Sequence, residues 1–142
     1  MAKETILHDI EDISENVVLV AVEKPDLIMS CESNLDELEE LVKTAGGKVA
    51  GRIIQKREGV HSGHYVGKGK IEEIRTAINA LDATGIVCDD ELSPAQLKNL
   101  EQMLQTKVMD RTMVILDIFA GRAMSREGKI QVELAQLKYR HS

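Results

Sequence analysis

The sequence predicts an α/β fold, with a parallel sheet of about four strands covered by helices and a long helix at the C-terminal end. Residues 17–22 form a continuous apolar run dominated by valine, which is typical of a strand buried on both faces of a parallel sheet. Short apolar segments then alternate with helical patterns of 10–12 residues, and this alternation is typical of βαβ units. Both observations indicate helices packed on parallel strands.

The first helix and the second strand follow this run. Ser33 precedes Asp36 by three residues, which is the capping-box spacing, and apolar residues recur at helical spacing after it. A helix is therefore predicted over about 34–45, and the glycine pair after it ends it. Residues 49–56 are predicted as the second strand.

The next elements continue the alternation. Residues 67–70, Gly-Lys-Gly-Lys, open a second helix whose apolar stripe covers residues 71–81. Residues 85–88 predict a short third strand, and residues 107–109 predict a fourth. Thr112 is expected to cap the helix that follows the fourth strand.

The clearest local pattern precedes the third helix. Ser93 is an N-cap residue, Pro94 occupies the first helical position, and Gln96 stands at the capping-box position. These residues predict a helix from Pro94 to about Leu104.

Composition limits the possible functions. The 142 residues fit one domain, and 43% of them are apolar, which is enough for a core. Only Tyr65, Phe119 and Tyr139 are aromatic, which argues against a base-stacking nucleic-acid platform. No apolar run approaches the roughly 20 residues that a membrane span needs. The two cysteines are expected to be reduced thiols in a soluble, cytoplasmic protein.

The formal charge of −6 is unevenly distributed along the chain. Residues 1–41 carry two lysines and twelve acidic residues, whereas residues 42–80 carry eight basic and three acidic residues. The net charge therefore does not exclude a polyanionic partner.

The sequence contains no convincing active site. No Gly-Lys pair is followed by Ser or Thr, so a phosphate-binding P-loop is absent, and the guanine-reading Asn-Lys-x-Asp motif is absent as well. His61 and His64 have a zinc-ligand spacing but no third ligand nearby, so a solvated loop is the better interpretation. We therefore assign no catalytic residue, no metal and no cofactor to this chain.

Two weaker binding hypotheses concern the predicted strand ends. A helix N-terminus with two lysines would hold a phosphate at Gly67, Lys68, Gly69 and Lys70. A carboxylate cluster after the third strand would bind Mg²⁺ through Asp89, Asp90 and Glu91. Solvated lysines and acids that stabilise a helix N-terminus are the simpler interpretations.

Residues 130–140 predict a helix that is apolar on two sides. Its two opposite stripes are Ile130, Leu134 and Leu137, and Val132, Ala135 and Tyr139. Such a helix needs cover on both sides, so we expect either self-association through it or a further helix from a longer protein. A frayed, partly exposed helix end is the simpler interpretation.

Several segments, in their order and spacing, resemble the N-terminal domain of HflX-type GTPases. These segments are residues 33–41, 65–70, 89–100, 110–112, 116–120 and 131–139. The resemblance covers roughly residues 15–140. It divides the chain into a polar N-terminal segment, an α/β subdomain and the start of a helical subdomain, at 1–14, 15–120 and 121–142.

The resemblance implies a ribosome-associated protein of the translation and stress response. Members of this family bind the large ribosomal subunit and use GTP, and their N-terminal domain joins an α/β subdomain to an antiparallel helix pair. The final helix would be the first arm of that hairpin. The chain would then stop before the second arm and the GTPase domain, so GTP and Mg²⁺ are expected only for the full-length family protein.

Three basic residues near the start of the helical subdomain are the expected rRNA contacts: Arg122, Arg126 and Lys129. Lys and Arg bind phosphates without reading sequence, although a solvated helix face explains them equally well. Two alternatives to a ribosome-binding module remain open. One is a phosphate- or nucleotide-binding domain that uses residues 67–70 and 89–91, and the other is a gene fragment with no function of its own.

Overall fold

The computed structural model describes residues 15–26 and 30–122, and it confirms the α/β fold. Its strands are β1 (Asn16–Glu23), β2 (Lys48–Lys56), β3 (Gly85–Cys88) and β4 (Lys107–Asp110). The helices between and after them are α1 (Cys31–Thr44), α2 (Lys68–Ala80), α3 (Pro94–Leu104) and α4 (Arg111–Arg122). The helix predicted for residues 130–140 lies outside the described residues.

The four strands are parallel, in the order β2-β1-β3-β4. β1 pairs with a strand on each side, and its residues from Val17 to Val22 are at most 3% exposed. This burial confirms the interpretation of the valine-rich run. The strand order changes direction between β1 and β3, which is the position where open α/β sheets usually bind ligands.

Alternate residues of β1 point into two aliphatic layers. Val18, Val20 and Val22 pack with apolar residues of α2 and α3 on one face of the sheet. Val17, Leu19 and Ala21 pack with α1 and α4 on the other face. None of the helices between residues 30 and 122 is long and apolar enough to cross a lipid bilayer.

The first helix begins one turn earlier than predicted, so the expected Ser33 cap is wrong. The N-cap of α1 is Ser30, whose hydroxyl oxygen accepts the Ser33 N–H at 3.1 Å. The apolar stripe also starts earlier, because Cys31 is buried four residues before Leu35. At the other end, Gly46 has a φ of 96°, a conformation that favours glycine, and it ends the helix as expected.

The start of α3 confirms the capping box. Ser93 Oγ accepts the Gln96 N–H at 3.1 Å, and Gln96 Oε1 accepts the Ser93 N–H at 2.9 Å. The expected Thr112 cap of the next helix is wrong, because α4 begins at Arg111 and Asp110 Oδ1 accepts the Met113 N–H at 2.9 Å. The carboxylate that ends β4 therefore already occupies the capping position.

The predicted subdomain limits stay predictions. The limit at residue 120 falls within the last turn of α4, which ends at Arg122. The polar segment 1–14 and most of the helical subdomain lie outside the described residues.

Candidate functional site

The carboxyl ends of the strands bring both weaker candidate sites to one edge of the sheet. Residues 89–91 directly follow β3, and the loop after β2 leads to residues 67–70 at the start of α2. A hydrogen bond joins the two regions, since the Tyr65 hydroxyl donates to Asp90 Oδ2 at 2.8 Å. Lys24, just after β1, lies 3.5 Å from the same carboxylate oxygen.

Asp89 is bound by an arginine from α4. Its Oδ1 accepts from Arg111 Nη2 at 2.6 Å and from Arg111 Nε at 3.2 Å. The same guanidinium donates to Glu37 Oε1 at 2.8 Å and to the Asn34 carbonyl oxygen at 2.9 Å. Arg111 therefore joins β3 to α1, and Asp89 serves as its charge partner.

Asp110 serves the backbone. It is 1% exposed, and its two oxygens accept the N–H groups of Leu92 and Met113, each at 2.9 Å. It thus fixes the turn after β3 and the start of α4 together. Asp110 is therefore a buried hydrogen-bond acceptor of the fold.

The acidic residues at this edge have protein partners rather than a metal-like arrangement. Asp89 and Asp90 face cations or a hydroxyl of the chain, and Glu91 is exposed. Within residues 15–26 and 30–122, no group of three or more His, Cys, Asp or Glu side chains is arranged to hold a metal ion. The Mg²⁺ hypothesis for residues 89–91 therefore gains no geometric support.

Residues 67–70 form the N-cap and first turn of α2. Gly67 has no side chain to cap the helix, and its own N–H donates to Gln55 Oε1 at 2.8 Å. Lys70 forms an ion pair with Glu73 at 2.8 Å, while Lys68 and Gly69 are exposed. Only one of the two predicted phosphate-binding lysines therefore projects without an ion pair in the described residues.

The loop containing His61 and His64 is partly exposed, and its residues also make specific contacts. The imidazole rings stack with centroids 3.7 Å apart. Two side chains of α3 hold the loop backbone, since Gln96 Nε2 donates to the His61 carbonyl at 2.8 Å and Asn99 Nδ2 donates to the Gly63 carbonyl at 2.8 Å. The histidines have a structural role here.

Tyr65 is the residue that sequence reasoning missed. It is 1% exposed and has a φ of 67°, a strained conformation for an aromatic residue that costs about 1–2 kcal/mol. Burial raises the pKa of its phenol, so the hydroxyl stays protonated and donates to Asp90. The only sequence signal was an isolated aromatic residue two positions before the Gly-Lys pattern.

A cleft of about 720 Å³ opens beside the ends of β1 and β2. Its lining residues are Glu23, Lys24, Pro25, Ser30, Cys31, Lys56, Arg57 and Glu58. Burial, with nearby carboxylates, raises the pKa of the Cys31 thiol to about 11. Burial also raises the pKa of Cys88, so neither thiol supplies a nucleophilic thiolate near neutral pH.

Of the three expected rRNA contacts, Arg122 alone belongs to a described element, and its backbone lies at the far end of α4 from this edge. α4 starts beside Asp89 and packs Val114 and Ile118 on the α1 side of the sheet, so it runs back across that face. Its 12 residues span about 18 Å, and Arg122 is the last of them. Arg126 and Lys129 lie outside the described residues.

Comparison with known proteins identifies the family. The sequence model of a family described as "GTP-binding GTPase N-terminal" matches residues 32–120, which include most of the sheet and all the helices except their outermost residues. The chain belongs to this family. This match agrees with the resemblance to the N-terminal domain of HflX-type GTPases, which the curated relatives confirm.

Curated relatives in the family are HflX GTPases. The chain is 66% identical over 136 residues to the GTPase HflX of Lacrimispora saccharolytica, a match that covers 96% of this chain and 32% of that protein. It is 42% identical over 136 residues to the GTPase HflX of Escherichia coli K12, covering 94% of this chain and 31% of that protein. The chain spans about a third of the length of these relatives.

A solved structure shares the fold of this family member. The GTP-binding protein from Sulfolobus solfataricus, crystallised in complex with GDP, has a TM-score of 0.63 and 26% sequence identity. The match covers 87% of this chain and 36% of that protein.

Proposed function

We propose that this chain is the N-terminal module of an HflX-type GTPase and that it contributes part of the contact with the large ribosomal subunit. The observation that supports this proposal is the 66% identity to a GTPase HflX across nearly the whole chain. The chain corresponds to about a third of that relative. GTP and Mg²⁺ then belong to the full-length protein, which acts in the cytoplasm where ribosomes are.

The charge distribution supports a contact through the far end of α4. Arg122, Arg126 and Lys129 fall within eight consecutive positions that begin at the last residue of α4, so they place three positive charges in a short stretch of the chain. The described part of α4 separates the first of them from the carboxylates at the other end by about 18 Å. A phosphate backbone approaching this end avoids most of their repulsion.

The α1 surface favours an orientation with that helix turned away from rRNA. The carboxylate side chains of Glu32, Asp36 and Glu40 are 67%, 71% and 74% exposed. Arg52 forms ion pairs with Glu32 and Asp36, at 3.1 Å and 2.7 Å, and Lys43 lies 3.7 Å from Glu40, so these three carboxylates still outnumber the two cations. Phosphates would be repelled from this face.

Cosedimentation with purified large ribosomal subunits at increasing salt tests the proposal. The variant with Arg122→Glu, Arg126→Glu and Lys129→Glu should bind weakly, and the slope of log affinity against log salt should flatten by about 2–3, since each phosphate contact contributes roughly 0.7–0.9. A matched control reverses three other exposed lysines through Lys48→Glu, Lys56→Glu and Lys98→Glu. It should retain most of the binding.

Equal losses in both triple variants would show nonspecific attraction and would contradict the assigned contact. A variant with Lys68→Ala and Lys70→Ala tests the alternative. The phosphate-binding hypothesis replaces this proposal if two results are found together. The wild-type chain binds inorganic phosphate or nucleotide and this variant does not, and the wild-type chain does not sediment with large subunits.

A further inference from the structure

The crevice where the strand order reverses is filled by a side chain of the protein itself. Lys24 directly follows β1 and Asp90 lies two positions after β3, so both residues stand at the carboxyl ends of the strands that flank the reversal. The Tyr65 hydroxyl donates to Asp90 Oδ2 at 2.8 Å, and Lys24 Nζ lies 3.5 Å from the same oxygen. The phenol therefore reaches the position where open α/β sheets usually bind a ligand.

The surroundings of Tyr65 are those of a small bound molecule. The residue is 1% exposed and belongs to the buried apolar cluster that also contains Val20 and Val22 of β1 and Cys88 of β3. Its ring thus lies in an apolar layer, while its hydroxyl binds a carboxylate oxygen of Asp90. An apolar enclosure with one polar group that fixes orientation is the usual composition of a small-molecule site.

The backbone before Tyr65 holds the ring in this position. His61 and Tyr65 exchange two backbone hydrogen bonds, both at 2.9 Å, which close the loop between them. Gln96 and Asn99 of α3 donate to the carbonyl oxygens of His61 and Gly63, each at 2.8 Å. Tyr65 has a φ of 67°, a conformation that side chains of this kind rarely adopt. The loop contacts and the burial of the ring therefore maintain a backbone geometry that local preference opposes.

We propose that Tyr65 acts as a built-in ligand, whose phenol occupies a latent small-molecule site between the ends of β1 and β3. When this side chain is removed, the site takes a free phenol with a small para substituent, whose hydroxyl donates to Asp90 as the tyrosine does. In the native chain the ring of Tyr65 excludes such a ligand. The inference concerns contacts within the domain and does not depend on ribosome binding.

Thermal unfolding of the 142-residue chain with added p-cresol gives the first test. Tyr65→Gly removes the whole side chain, and glycine accepts a positive φ, so the loop backbone can keep its path. At about ten times its dissociation constant, p-cresol should raise the unfolding temperature of this variant by about 3–5 °C. The wild-type chain should show no shift. Toluene, which lacks the hydroxyl, should bind the variant about tenfold more weakly.

Two control variants separate this site from an ordinary cavity. Tyr65→Phe keeps the ring and should exclude p-cresol as the wild-type chain does. Leu35→Ala opens an apolar cavity at a fully buried residue on the other face of the sheet, where the hydroxyl of p-cresol gives no advantage over toluene. Three results overturn the proposal: no shift in Tyr65→Gly, equal affinity of that variant for both ligands, or the same preference in Leu35→Ala.

A second measurement applies if Tyr65→Gly is unfolded without a ligand. Refolding it with p-cresol should then restore the helical circular dichroism signal of the wild-type chain, because binding stabilises the folded state alone. Refolding with toluene at the same concentration should restore less of the signal. No recovery with p-cresol, or equal recovery with both ligands, would contradict a site built for a phenol.

Discussion

The two halves of the carboxyl edge of the sheet use charged residues differently. After β3 and β4, Asp89 is bound by Arg111 and Asp110 accepts two backbone N–H groups. After β1 and β2, a cleft of about 720 Å³ is lined by three cationic and two acidic side chains, and α2 starts at Gly67 without a capping side chain. The half after β3 and β4 is stabilised by an ion pair and helix caps. The half after β1 and β2 instead has charged side chains around an open cleft.

The comparison shows why similar acidic or basic runs differ in role. Asp89, after β3, is structural because Arg111 reaches it from α4, 22 residues further along the chain. Lysines at the start of α2 have no such convergent set of partners in the described residues, apart from the local pair of Lys70 with Glu73. Experiments can therefore measure the contribution of each half separately.

The largest effect is expected from Arg111→Met. The side chains of Arg111 and Asp89 are only 22% and 12% exposed, so the variant leaves a mostly buried carboxylate without its cation. We expect the free energy of unfolding to fall by about 2–3 kcal/mol. Urea denaturation measures it, and Lys56→Met, at a side chain that is 87% exposed, is the control that should keep the wild-type midpoint. Equal midpoints for both variants would mean that Arg111 does not stabilise the half of the edge after β3 and β4.

A smaller effect is expected from the two helix starts. Ser93→Ala removes the capping-box acceptor of α3 and should cost about 1 kcal/mol. Gly67→Ala at the start of α2 should stay within about 0.5 kcal/mol, because φ there is −70° and the new Cβ would meet only flexible ends of Gln55 and Arg57, at 3.2 Å. Thermal or urea unfolding of the two variants compares them. Equal costs would remove the distinction between the two helix starts.

The smallest effect appears only at acid pH and concerns His61. Its Nδ1 accepts the N–H groups of Gly63 and His64 at 3.0 and 3.1 Å, so the ring must be unprotonated at this nitrogen. Burial, with His64, Arg57 and Lys68 nearby, lowers the pKa of His61 below 6.5. The unfolded chain therefore takes up the proton first as pH falls. This contribution to stability is complete above pH 6.5 and decreases below it.

The control for this prediction is His61→Asn, whose side-chain oxygen can accept the same N–H groups but does not titrate. Urea midpoints measured at pH 7.5, 6.5 and 5.5 should fall more for the wild-type chain than for the variant. Parallel curves for the two proteins would show that His61 does not couple the loop to pH.

Sequence reasoning succeeded where the information is local. The valine-rich run predicts β1 because every residue from 17 to 22 is apolar, and Ser93, Pro94 and Gln96 predict the start of α3 within four positions. The start of α1 was placed one turn late because Ser30 and Ser33 are both good caps. The burial of Cys31 against the sheet, a tertiary contact, distinguishes them.

The candidate site was less predictable because its partners are distant in sequence. Gln96 and Asn99 reach the loop after β2 from 35 and 36 positions away. No spacing rule indicates that an amide side chain of α3 will bind a loop carbonyl. The residues at the strand ends were correctly placed at one edge, but their partners, and hence their structural roles, follow from packing.

The central position of β1 has a consequence for synthesis of the chain. Of the four described strands, β1 is the first to be synthesised, but its neighbour β3 starts next to Thr84, 68 positions after Asn16. Until β3 is made, one edge of β1 has no strand to pair with, and its six apolar residues lack part of their cover. A segment of this composition pairs readily with strands of other chains. The interval before β3 is synthesised is therefore the period in which β1 is most exposed to pairing with other chains.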